Sequence, residues 1–71
     1  MTPAELRARV ADLRDEVRRE ANNADRDARR YAKAKDVGNA GEACGRWRAC
    51  ESFQRRLSAL LSEYDASARG D

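Results

Sequence analysis

The only proline of this chain is its third residue, and nothing between Pro3 and Val37 interrupts a helix. Proline at the first helical position sacrifices no hydrogen bond, because that N–H has no partner in any helix. Thr2 precedes it in the N-cap position and Glu5 follows three residues after the cap, the arrangement of a capping box. Apolar residues then recur at Leu6, Val10, Leu13, Val17, Ala21, Ala24, Ala28 and Tyr31, in steps of three and four that trace one helical face. The face is bulky at first and narrows to alanine from Ala21 to Ala28. A first helix over about 3–37 would extend ~50 Å at 1.5 Å per residue.

Gly38 and Asn39 supply the next punctuation. Glycine readily adopts the left-handed conformation that closes a helix, and asparagine caps the following one. Glu42 lies three residues beyond Asn39, which places the turn at 38–39 and a second helix over about 40–68. So short a connection requires antiparallel helices. The expected fold is all-α, a single helical hairpin over 1–71 of coiled-coil type. Cys50, Phe53, Leu57, Leu60, Leu61 and Tyr64 form the apolar face of the second helix. Folding about Gly38-Asn39 pairs residues whose numbers total roughly 77, so Val17 meets Leu60, Leu13 meets Tyr64, and Ala24 meets Phe53. Five acid-before-base pairs four residues apart are expected to brace the helices (Glu5–Arg9, Asp15–Arg19, Asp25–Arg29, Glu42–Arg46 and Glu51–Arg55), at ~0.2–0.5 kcal/mol each.

Composition enters when the core is weighed. Five Leu, three Val, one Phe and no Ile leave little bulk to bury, while fourteen alanines favour helix. Below roughly 70–80 residues one core rarely supplies more than about 3–5 kcal/mol without a staple. No staple is evident: there is no histidine, and the two cysteines stand six apart on one helix, a spacing that neither bonds within the helix nor makes a four-ligand zinc site. Cys50 is expected in the seam and Cys44 off it. Self-association or a partner protein is therefore expected to complete a bundle, most simply as a dimeric four-helix bundle. No apolar run approaches the ~20 residues of a membrane span, so the chain reads as soluble and cytoplasmic.

No phosphate-cradling glycine loop, catalytic histidine or activated serine is present, and the carboxylates lie among arginines that favour their ionised form. The chain is expected to be no enzyme, with no metal, no cofactor and no small-molecule substrate. The function expected is that of a non-catalytic protein–protein interaction module, a small regulator or inhibitor such as phages encode. Its partner-binding residues are placed at the hairpin tip: Trp47, the only tryptophan, flanked by Arg46 and Arg48, with Tyr31 opposite. Aromatic and arginine side chains dominate binding hot spots. Trp47 is expected to cover the tip against Tyr31, and Arg46 to stack on that ring. The alternative is a nucleic-acid-binding hairpin. Arg19, Arg26, Arg29, Arg30 and Lys33 fall in a narrow arc on the back of the first helix and span ~21 Å, able to follow a phosphate backbone. Gly41 and Gly45, four apart, read either as a close-approach face or as a loosely formed first turn, with the loose turn favoured.

Overall fold

A computed structural model describes residues 1–70. Two helices, α1 (Pro3–Lys33) and α2 (Val37–Ala68), pack along their length as an antiparallel hairpin, with no strand among the described residues. The hairpin measures 53 × 21 × 12 Å, so its thickness is that of one helix. It is a single layer.

The start of α1 follows local chemistry. Thr2 is extended, and the Glu5 N–H donates to its Oγ1 at 3.1 Å. The tip, in contrast, departs from the expected turn at Gly38-Asn39. α1 ends at Lys33, and Lys35 takes the left-handed conformation at φ 60°. The Asp36 N–H donates to the Tyr31 carbonyl at 2.8 Å and the Lys35 N–H to the Ala32 carbonyl at 3.0 Å. These two bonds are those of a Schellman motif, completed here by lysine where glycine usually stands. Asp36 then caps α2. Its Oδ1 accepts from the Asn39 N–H at 3.3 Å, and the Asn39 side-chain amide donates to Oδ2 at 2.8 Å. Gly38 and Asn39 thus lie inside the first turn of α2. Gly41 and Gly45 also sit in continuous helix, which corrects the loose-turn reading. Asp36 is as good an N-cap as Asn39, and its own N–H, bonded to the Tyr31 carbonyl, places it to close one helix and open the next.

Moving the turn moves the register. Asp27 bonds Arg46 and Arg7 bonds Asp65, so level residues have numbers totalling 73 and 72 rather than 77. The expected pairings Val17–Leu60, Leu13–Tyr64 and Ala24–Phe53 are each displaced by more than a helical turn. One row of buried and half-buried positions reads Val10, Arg14, Val17, Ala21, Ala24, Ala28 and Tyr31 on α1, and Ala40, Ala43, Cys50, Gln54, Leu57, Leu61 and Tyr64 on α2, with Arg7, Ala11, Asp15, Asp25, Asp27, Glu51, Ser58, Asp65 and Ala66 half-buried beside it. Steps of three and four, with one skipped position at 47, make a seven-residue repeat, the period of a coiled-coil seam. Arg14 and Gln54 occupy seam positions, and the bulkier Leu13 and Phe53 stand one residue outside it.

Of the five expected intrahelical pairs, Asp25–Arg29 forms at 3.3 Å. Asp15 instead holds its neighbour Arg14 at 3.4 Å, and Arg46 reaches across the seam. At Arg46 a tie between helices takes the place of the expected tie within one.

Candidate functional site: an apolar strip on one broad face

Four of the large apolar side chains left in solvent share one face, while Val37 and Trp47, 81% and 39% exposed, lie outside it. Leu6, Leu13, Phe53 and Leu60 are 54%, 40%, 46% and 55% exposed. Leu6 and Leu13 are seven residues apart on α1, and seven more reach Glu20. On α2, Leu60, Phe53 and Arg46 follow the same interval in reverse. Positions seven apart stay on one stripe of a coiled-coil helix. The two stripes lie side by side, because both their ends meet: Leu6 and Leu60 line one open groove of about 450 Å³ with Met1, Val10 and Tyr64, and Glu20 forms an ion pair with Arg46 at 3.9 Å. Leu13 and Phe53 fall between. The result is an apolar strip running from the open end of the hairpin to its middle, closed by a charged pair.

The opposite broad face carries Ala11, Asp15, Arg18 and Asn22 from α1 and Glu51, Arg55, Ser58 and Ser62 from α2. No large apolar side chain is among them. Cys44 belongs to this polar side and is exposed, while Cys50 is half-buried in the seam row, as its spacing suggested.

Two ionic clamps fix the faces. Arg7 donates from Nε to Asp65 Oδ1 at 2.8 Å and from Nη2 to Oδ2 at 2.9 Å, a bidentate bond across the open end. Hydrogen bonding from Arg7 holds the Asp65 carboxyl below its ordinary range, and the same bond raises the Arg7 guanidinium above its own. Nearer the tip Arg46 donates to Asp27 Oδ2 at 2.8 Å, and that bond raises the Arg46 guanidinium in turn.

The residues expected to bind a partner are thereby redistributed. Arg46 does not stack on Tyr31; it is held between Asp27 and Glu20, and the cation over the Tyr31 ring is Arg30, 5.0 Å from the centroid. Tyr31 is half-buried beside Asn39, Glu42 and Ala43. Trp47 is 39% exposed, but the Asp27–Arg46 bond sets it about one turn below Tyr31, so it does not cover the tip. Six residues turn a helix by ~600°, which also carries Trp47 away from the face of Phe53. Arg48 is exposed. The basic stripe of Arg19, Arg26, Arg29, Arg30 and Lys33 does lie exposed along α1, although Arg29 pairs with Asp25 and Arg30 with Asp27 at 3.5 Å.

The strip residues themselves were in the sequence reading, but assigned to the seam. At 100° per residue Leu6, Val10, Leu13 and Val17 fall within ~60° of one another, so no local signal separates the strip row from the seam row. Among the described residues no helix is long and apolar enough to cross a membrane, and no group of three or more His, Cys, Asp or Glu side chains converges as a metal site would require. Comparison with protein-family models, with curated proteins and with solved structures finds no match to this chain.

Proposed function

We propose that the chain is a non-catalytic interaction module, a small regulator or inhibitor that works by docking a protein surface on its apolar strip. The observation that carries this reading is the strip itself, Leu6, Leu13, Phe53 and Leu60 in solvent on one face of a hairpin one helix thick. Domains bury apolar surface between at least two layers, and here the second layer is missing. Contiguous apolar surface edged by charge is characteristic of protein docking sites. This moves the expected contact from the tip residues Trp47, Arg46, Arg48 and Tyr31 to the open half of the hairpin. The basic stripe supports a nucleic-acid reading less well, because Asp25 and Asp27 already pair with two of its five cations.

Site-specific photo-crosslinking tests the reading. A benzophenone side chain at position 53 should give protein adducts, to this chain or another, both in cells and in purified samples, while the same group at Arg18 on the polar face should give none. Adducts from neither site would refute the proposal. Steeply salt-sensitive gel shifts lost in Arg26→Glu/Arg30→Glu would favour the nucleic-acid reading instead.

A further inference from the structure

We infer that the occupant of the apolar strip is a second copy of this chain, laid face to face with its tip pointing the same way to complete a four-helix bundle. The inference rests on the docking reading above and adds the partner and its geometry.

Charge supplies the first support. Arg9 and Glu16 follow Leu6 and Leu13 by three residues, and Arg56 and Glu63 follow Phe53 and Leu60 by the same step. On each helix that step moves to the outer margin of the strip, away from the seam. All four charges are exposed, and none forms an ion pair with another described residue. A half-turn about the long axis of the hairpin sets α1 against α2 of the other copy and leaves every residue at its own height. Level positions are those whose numbers total about 72, as Arg7 and Asp65 do. Arg9 therefore faces Glu63 of the second copy, and Glu16 faces Arg56. Two-fold symmetry repeats both pairs, giving four ion pairs around one apolar core. The margins of the strip are complementary to the strip itself.

Area supplies the second. The broad face has an outline of 53 × 21 Å, about 1,100 Å², which leaves room at full overlap for the ~800 Å² per partner that a stable interface buries. With tips opposed, full overlap would lay Leu6 and Leu13 on the polar tip half. Sliding the copies until the strips meet would halve the shared outline to about 550 Å², too little. Only the arrangement with tips aligned covers the strip and the whole face together.

Sedimentation equilibrium on the full chain tests the pairing. Arg9→Glu should weaken the dimer about tenfold, since each of two symmetry-related pairs turns from attraction to repulsion. Glu63→Arg should do the same, and Arg9→Glu/Glu63→Arg together should restore the dimer to within about threefold, because every pair is then reversed. Arg19→Glu, on the back of α1, should leave it unchanged. A dimer indifferent to the reversals, or not rescued by the double change, overturns this arrangement; adducts between copies from position 53 would then still uphold the docking reading. A monomer whose position-53 adducts contain another protein overturns the second copy alone. If a monomer forms no adducts from position 53, both readings fail.

Discussion

Gly41 and Gly45 give the sharpest check on the course of α2. Both lie inside continuous helix, and a Cβ built on either meets nothing within 4 Å. Glycine in a helix interior is about 1 kcal/mol less favourable than alanine, chiefly because the unfolded chain is freer. Gly41→Ala/Gly45→Ala should therefore stabilise the protein by about 1.5–2 kcal/mol, with slight loss of additivity because the sites are one turn apart. For a domain of this size each kcal/mol raises Tm by roughly 4–8 °C, so the double variant should melt about 10 °C higher. Far-ultraviolet circular dichroism at fixed protein concentration reads the shift, concentration being held because association itself raises Tm. A frayed first turn would reduce the gain to a few tenths of a kcal/mol. A fall in Tm would mean that some surface packs where those β-carbons go, contradicting the open space at the two glycines.

Lys35 holds a left-handed conformation without glycine's freedom, so Lys35→Gly should raise stability by up to about 1 kcal/mol in chemical denaturation, and a loss would contradict the turn. Ala24 is fully buried in the narrow part of the seam; Ala24→Leu should cost about 1–3 kcal/mol through overpacking, visible as a lowered urea midpoint, whereas an unchanged midpoint would refute close helix contact there. The carboxyl of Asp65 titrates below its ordinary range because Arg7 hydrogen-bonds its ionised form, so its contribution is complete above the unfolded value near pH ~4 and is lost as pH falls through the lower folded value. Melting curves of the wild type and Asp65→Asn should accordingly differ at neutral pH and converge in acid; a constant gap would remove the clamp from the account.

Much of this protein was settled by its sequence. Thr2 and Pro3 start α1 by contacts within one turn, and the three-and-four spacing from Leu6 to Tyr31 dictates helix whatever the surroundings. The alanines at 21 and 24 foretold a narrow seam, and they are among its most buried residues. A short turn between two such helices leaves only an antiparallel hairpin. The place of the turn was less legible, because glycine is the usual signal for a left-handed residue and Lys35 takes that conformation instead. Which row of each helix faces the other was decided only in the tertiary structure. Leu13 and Arg14, like Phe53 and Gln54, stand ~100° apart on their helices, so a modest rotation decides which of the two rows enters the seam. The choice depends on how far each helix is rotated about its own axis. That rotation follows from the Lys35–Asp36 turn together with packing across the seam, where the Arg7–Asp65 and Asp27–Arg46 bonds join residues distant in sequence that no local periodicity encodes.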